Sequence, residues 1–337
     1  MKKIIAIICV VVIAMAGIVG CGGGGDGNGR NGGGAVGEVF NFRLAHVNNF
    51  DHPYDIAAIR FAELVYEGTN GNVRIDVFNS GVLGNEGDII EQVQMDALEF
   101  GLVASAPFAQ SVPSMFVFDL PFLFATREAA YEVLDSDVGM NILAELEGLN
   151  MVGLGFWENG FRNISNSIRP VRTPDDLTGL KIRTMQNEIH MESFLAMGAM
   201  PTPMAWGEVF TALQQGTIDG LENSPIIYQT NAFWEVQTYK TITNHFYSPA
   251  VFFMSRPAFN RLPAEYQQVI IDSERIARDY QRYLHRVMDE AAIQVLTDNG
   301  MQITEIDVDL WRASVESVYE QYMDMIGADL VNAILGM

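Results

Sequence analysis

Hydrophobic and polar positions along the chain follow two alternating rhythms. Phe40–Ala45 is a short apolar strand candidate, and Asn72–Asn79 places Val73, Ile75 and Val77 at the period of two that a half-buried strand requires. Between them, Asp55–Glu67 carries Ile56, Ile59, Phe61, Ala62 and Val65 at helical spacing. The same reading predicts helices over Asp88–Ala97, Arg127–Leu134, Met140–Leu146, Asn187–Met197 and Trp206–Gln215. It predicts strands over Leu98–Ala104, Met151–Trp157, Leu180–Thr184 and Ile218–Leu221. Thr173-Pro174-Asp175-Asp176 has the order of a helix start: a capping hydroxyl, proline at the first helical position, then acids at the positive end of the dipole. Phe116–Phe124, interrupted by Asp119 and Pro121, predicts a buried strand or loop, and Pro263 opens a helical pattern running to about Asn299. Strands alternating with helices imply an α/β fold with mostly parallel sheets. A body of about 300 residues is large enough for two cores.

The first residues have a different character. Lys2 and Lys3 precede an uncharged run of 17 residues, Ile4 to Gly20, which ends in Ile18-Val19-Gly20-Cys21. That is the layout of a secretory signal peptide. The cysteine directly after a small residue resembles the lipobox of bacterial lipoproteins, which predicts cleavage after residue 20 and a lipid on Cys21. The alternative is an uncut anchor, for which the run is short of the roughly 20 apolar residues a bilayer needs. Residues 22–34 hold nine glycines out of thirteen. Such a stretch buries too little to offset its ordering entropy, and it predicts a tether over 21–37 with an r.m.s. span of roughly 20 Å.

Composition narrows the chemistry. Cys9 and Cys21 are the two cysteines, so the predicted folded body offers neither a disulfide nor a thiolate site. Forty-two acidic residues against 20 basic ones give a balance of −22, which repels nucleic acid and anionic headgroups. Any anionic ligand must be held by local arginines against this field. Neither a Gly-x-Ser-x-Gly elbow nor a His-Glu-x-x-His motif occurs, and the five histidines are scattered.

The middle of the chain carries a resemblance. Gly160-Phe161-Arg162-Asn163 is followed by Arg169-Pro170-Val171 and Pro174-Asp175-Asp176-Leu177-Thr178-Gly179-Leu180-Lys181-Ile182-Arg183. Then come Met197-Gly198-Ala199-Met200-Pro201-Thr202-Pro203-Met204, Glu208 to Gly216, and Ile218-Asp219-Gly220-Leu221-Glu222-Asn223. In this order and spacing the series resembles the solute-receptor family of tripartite ATP-independent periplasmic (TRAP) transporters, of the dicarboxylate-receptor type, over the body from about Phe40 onward. The resemblance implies a two-lobed, periplasmic-binding-protein-like α/β fold with a long hinge-spanning helix, here the one after Pro263. The chain would cross between lobes near Trp157–Gly160 and Ser248–Met254. Lobe I would be 38–158 plus 249–287, and lobe II 159–248 plus 288–337.

The resemblance also implies roles. Arg183 matches the arginine that pairs with the ligand carboxylate, a task suited to the planar, always charged guanidinium. Arg162 matches a second arginine that holds the carboxylate or braces its neighbours. Asn223 matches an asparagine that bonds carboxylate or hydroxyl, although here Ser224 separates it from Pro225. Trp206 sits where the family has an aromatic wall, the alternative being a core tryptophan at a helix start. Glu86 matches an acid that accepts from ligand hydroxyls, the alternative being capping of the helix from Asp88. His46 and His52, near the first strand's end, are candidates for a hydroxyl or second carboxylate, or else solvated loop histidines.

The function implied is extracytoplasmic capture of a small organic carboxylate by cleft closure and its delivery to the small and large TRAP membrane subunits. No cofactor, metal site or nucleic-acid partner is expected. Glu86 and the two histidines point to a uronate or other sugar acid, with a C4-dicarboxylate next. The alternatives are a membrane-anchored, sensor-linked binding protein and a lipoprotein hydrolase.

Overall fold

A computed structural model describes residues 38–337; the signal-peptide, tether and Cys21 expectations lie outside the described residues. Among the described residues, nine strands form one sheet: β1 Phe40–Ala45, β2 Val73–Phe78, β3 Phe100–Ala104, β4 Met151–Asn166, β5 Lys181–Thr184, β6 Met200–Pro203, β7 Gly220–Asn223, β8 Tyr239–Ser255 and β9 Gln302–Glu305. Their order is β2-β1-β3-β8-β4-β7-β5-β6, with β9 beside β8. Twelve helices cover it: α1 Pro53–Gly68, α2 Glu86–Gln94, α3 Arg127–Asp135, α4 Asp137–Ala144, α5 Glu188–Ala196, α6 Val209–Gln214, α7 Pro225–Thr230, α8 Arg256–Asn260, α9 Ala264–Asp298, α10 Val308–Ser314, α11 Glu316–Ile326 and α12 Ala328–Leu335.

Both flanks of the sheet are parallel, as the strand–helix alternation predicts, but the centre is not. β1 pairs parallel with β2 and β3, and β5 pairs parallel with β6 and β7. The two long strands β4 and β8 run antiparallel to each other. The end of β8 pairs with β3 through Ala250–Met254, and the end of β4 pairs with β7 through Asn163–Asn166. The crossing predicted near Trp157–Gly160 and Ser248–Met254 falls on this pair, in which Trp157 faces Ala250 and Gly160 faces Ser248.

The predicted Met151–Trp157 strand is thus only the first half of β4. The helix predicted from Thr173 closes after a single 3₁₀ turn, Pro174–Leu177, although its cap forms as a Thr173–Asp176 capping box. Phe116–Phe124 is neither a strand nor wholly a loop, because Pro113–Asp119 is a buried 3₁₀ stretch.

α9 is 35 residues long and follows Pro263 at its N-cap, as expected, so it spans roughly 50 Å. Its Ile270 and Ala277 enter the core formed by α1, β1 and β3, while Leu296 enters the core formed by α6, α7 and β7. One helix therefore pins both halves of the sheet. Its polar residues grip β4. Gln281 accepts from Glu158 N at 2.9 Å and donates to Glu158 O at 2.8 Å, and Arg282 donates to Phe156 O at 2.6 Å. The approach requires glycine on the strand. A Cβ on Gly155 would lie 2.0 Å from Glu274 Oε1, and one on Gly160, whose φ is +92°, would lie 2.4 Å from the ring of His285.

Glu274 is buried in this contact, where it accepts from Trp157 Nε1 at 3.1 Å. Burial raises its pKa to about 7 against the lowering effect of Arg278. The folded state therefore holds a proton that the unfolded state releases, and stability is lost as pH rises from the ordinary carboxylate range through about 7. Glu274→Gln keeps an acceptor for Trp157 without the charge. It is expected to match the parent at pH 5 and to exceed it at pH 8 by something of the order of 1–3 kcal/mol, measured as urea unfolding midpoints at the two pH values.

Candidate functional site

The carboxyl ends of β1 and β3 face those of β5 and β7 across a cleft, the usual place for a ligand in an open α/β sheet. An outer cavity of about 260 Å³ opens between Glu86, Pro107, Arg183, Met185 and Trp206. It leads to an inner chamber of about 20 Å³, bounded by Asn48, Tyr54, Asn159, Arg162 and Asn223 and again by Glu86 and Arg183. The chamber has room for about one water.

Arg183 is the third residue of β5 and only 3% exposed. Its Nε and Nη2 both donate to Met204 O, at 3.0 and 2.7 Å, which clamps the guanidinium plane. The Trp206 ring covers it with the guanidinium carbon 5.8 Å from the ring centre. No ion pair reaches Arg183 among the described residues. Burial and the nearby Arg162 charge lower its pKa to about 10. The Glu222 and Glu86 charges oppose that lowering without making an ion pair; a buried cation outside an ion pair is costly, and this one lines both cavities.

Arg162, on β4, is fully buried and has the opposite status. Its Nε and Nη2 reach Glu222 Oε2 and Oε1 at 2.5 and 2.7 Å, and Nη2 also donates to Glu222 O at 2.9 Å. Its charge is therefore answered within the protein. Burial would raise the Glu222 carboxyl, but Arg162 and the His245 hydrogen bond hold it well below the usual carboxylate range. His245 lies 3.4 Å from Glu222, and burial lowers its pKa. Nη1 of Arg162 donates to Asn223 Oδ1 at 3.3 Å, and Ser224 N donates to the same oxygen at 2.9 Å. With its oxygen occupied, Asn223 presents Nδ2 as a donor. Ser224 shifts the turn by one residue and becomes the N-cap of α7, with Pro225 at its first position.

Trp206 combines both expectations: it lines the cleft and packs edge-on to Phe233 at 5.7 Å in the core. Glu86 is the first residue of α2, but the cap is Asn85, closed by Asp88 in a capping box. Glu86 instead accepts from Ala104 N at 2.8 Å and lines both cavities. Burial raises its pKa against the lowering effects of that N–H, Arg183 and Arg162.

The solvated-loop reading of His46 and His52 is corrected, because both are fully buried. His46 Nε2 faces Asp55 Oδ1 at 3.2 Å, and His52 caps α1 by accepting from Tyr54 N at 3.1 Å. Neither lines the cleft; they sit behind Tyr54. Tyr54, Asn48 and Asn159 were missed. The signal for Asn48 was its place in the loop after β1, and for Asn159 it was the Asn-Gly step inside an otherwise apolar strand; Tyr54, in the first turn of α1, carried none.

A larger groove of about 1000 Å³ runs between α1 and the edge strand β2. Asp55, Glu63, Glu67 and Asp76 line it against the single cation Arg74, so its chemistry does not suit an anion.

Comparison with known proteins agrees with this geometry. Residues 44–325 match the family model described as bacterial extracellular solute-binding protein, family 7. A solute-binding protein of Verminephrobacter eiseniae is 38% identical over 81% of this chain and 82% of its own length. The 2,3-diketo-L-gulonate-binding periplasmic protein of Escherichia coli is 35% identical over 83% of this chain and 86% of its own. Among solved structures, a TRAP periplasmic solute-binding protein from Polaromonas, bound to D-erythronate, superposes with a TM-score of 0.87 at 33% identity, covering 88% of this chain and 99% of that one. A sugar-acid-binding protein from Advenella mimigardefordensis, in complex with galactonate, superposes with a TM-score of 0.87 at 34% identity, covering 89% and 97%. With the two-lobed fold and a match over most of the chain in agreement, this protein belongs to family 7 of the bacterial extracellular solute-binding proteins, the solute receptors of TRAP transporters.

Proposed function

We propose that this receptor captures a hydroxylated sugar acid, a uronate or an aldonate, and that Arg183 holds its carboxylate. The observation that carries the reading is the buried Arg183 guanidinium at the wall of the cleft, clamped by Met204 O yet in no ion pair among the described residues. A bound carboxylate supplies the missing charge through Nη1, and Asn223 Nδ2 adds a donor beside it. Trp206 shields the pair from water, which strengthens it. Glu86, with one oxygen taken by Ala104, offers the other to ligand hydroxyls. The sugar acids named for the relatives support the same class.

Capture proceeds by closure. The lobes, 38–158 plus 249–287 and 159–248 plus 288–337, close on the ligand and expel water from the charge pair. Arg183, Arg162, Asn223 and Trp206 belong to the second lobe and Glu86 to the first, so the ligand itself bridges the halves. The closed form docks on the small and large TRAP membrane subunits. The Ile18-Val19-Gly20-Cys21 sequence supports a lipid anchor at Cys21, with residues 22–37 as the tether. Membership of a receptor family sets the hydrolase alternative aside. Micromolar affinity needs about −8 kcal/mol, within reach of one charged pair and several hydroxyl bonds netting roughly 1–3 kcal/mol each.

Full-length protein, unfolded and refolded to strip carried-over ligand, should show a thermal shift with sugar acids. Ligand at one hundred times its dissociation constant adds about 2.7 kcal/mol. Arg183→Ala should abolish the shift. A shift from C4-dicarboxylates with none from sugar acids would show that the ligand class is wrong, and a shift that survives Arg183→Ala would show that the carboxylate lies elsewhere.

The two arginines should separate in the absence of ligand. Arg162→Met leaves Glu222 buried and unpaired, and is expected to lose about 3–5 kcal/mol in urea unfolding. Arg183→Met removes an uncompensated buried charge and is expected to stay within about 1 kcal/mol of the parent, or to gain. Equal losses would mean that Arg183 has a partner within the protein.

A further inference from the structure

The long helix α9 has a second apolar face. Gln281, Arg282 and His285 turn toward β4, and Ala277 enters the core shared with α1. On the other side Ile276, Tyr280, Tyr283 and Val287 are 55, 39, 56 and 45% exposed. Their spacing is four, three and four residues, which is the pattern of a seam between two packed helices. A surface helix ordinarily turns charges outward there. Ile59 of α1, 45% exposed, extends the patch, because a groove of about 490 Å³ runs between α1 and α9 and is lined by Ile56, Ile59, Ile276 and Tyr280. Single exposed apolar residues are ordinary, but a contiguous stripe marks an interface. None of these residues lines the two cleft cavities.

The charges beside the seam identify what fits it. Asp279 and Arg286 each stand one residue before a seam position, on the same edge, with Ala277 on the other. The Asp279 side chain is 71% exposed, and its contact is the adjacent Arg278 at 3.4 Å. Arg286 is exposed and enters no ion pair among the described residues. Laid antiparallel on a second copy, with Ile276 level with the partner's Val287 and Tyr280 level with the partner's Tyr283, the seam brings Asp279 within one turn of the partner's Arg286. Two-fold symmetry makes the same contact a second time. Laid parallel, Asp279 would meet the partner's Leu284 and Arg286 the partner's Ala291, and neither charge would be answered. The antiparallel register also sets the partner's Tyr283 and Val287 over the groove between α1 and α9.

We propose that the segment Ile276–Val287 of α9 is the interface of an antiparallel homodimer, closed by two symmetric Asp279–Arg286 pairs. A membrane surface or an unrelated subunit would account for the apolar stripe but not for its self-matching charges. Four seam residues and Ile59 on each side bury no more than roughly 1,200 Å², the low end for specific complexes, so the dimer is weak and exchanges with monomer. Pairing takes place on the back of the helix and leaves both clefts open.

The test is sedimentation equilibrium of the full-length chain in a non-ionic detergent at low salt, between about 1 and 300 µM. The N-terminal region is common to every variant, so differences among them belong to the seam. The parent should pass from monomer to dimer within this range. Asp279→Arg turns two exposed attractions into two repulsions and should weaken the dimer about tenfold. Asp279→Arg combined with Arg286→Asp restores opposite signs and should return the dissociation constant to within about threefold of the parent. Tyr283→Glu places an acid in the seam and should leave only monomer. All three positions are exposed, and an unchanged thermal midpoint for each variant shows that the fold is kept. A parent that stays monomeric throughout would show that something other than a second copy covers the stripe, and would overturn the proposal. Unchanged pairing in Asp279→Arg or Tyr283→Glu, or a double reversal that fails to restore pairing, would do the same.

Discussion

The arrangement of the cleft depends on the buried pair between Arg162 and Glu222. Two guanidinium groups, Arg162 and Arg183, border one small chamber, and without an acid between the strands they would repel each other in a poorly screened interior. Glu222 removes one of the two charges through a two-pronged contact with Arg162 and so leaves the other available. The same pair sets the direction of Asn223, because Arg162 occupies the amide oxygen. Replacing such a pair with apolar residues can be neutral for stability. Its contribution here is geometric, since it decides which of the two cations is paired inside the protein and which is left without an ion pair among the described residues.

Around that pair, β4 acts as the ruler of the site. It carries Asn159 and Arg162 and donates to or accepts from α9 at Phe156 and Glu158. Glu158 in turn accepts from Arg127 at 2.8 Å, Arg127 reaches Asp289 at 2.5 Å, and Asp289 accepts from Ile226 N at the start of α7 at 2.9 Å. A chain of charged groups thus runs from the strand crossing, along the long helix, to the element that follows Asn223. It is a contiguous, fully bonded path by which the position of one half of the sheet constrains the other.

Much of this was legible in the sequence, and the exceptions have physical causes. β1 was readable to the residue, and α9 from its opening proline to within a residue of its end, because each has one periodic face and clear punctuation. β8 escaped because it is buried on both faces over most of its length and contains Pro249, so it shows no alternation. The second half of β4 escaped for a similar reason, since its buried residues include Asn159, Arg162, Asn163 and Asn166. In the site, Arg183 was legible only through the ordered motif around it. Glu222 as the partner of Arg162 was not, because the pairing joins residues 60 apart through the β4–β7 register. Tyr54 lies just before the helix read from Asp55, and nothing in local spacing reveals that its side chain ends beside a cavity.

The pairing of β3 with β8 sets the timing of folding. Phe100 to Ala104 find their partners only at Ala250 to Met254, so one flank of the sheet cannot join the other until three-quarters of the chain is available. High contact order of this kind slows folding. For a chain that crosses a membrane, the delay is useful. The polypeptide leaving the ribosome has no complete sheet to lock it into a globule, and it stays threadable until its far end arrives on the side where the receptor works.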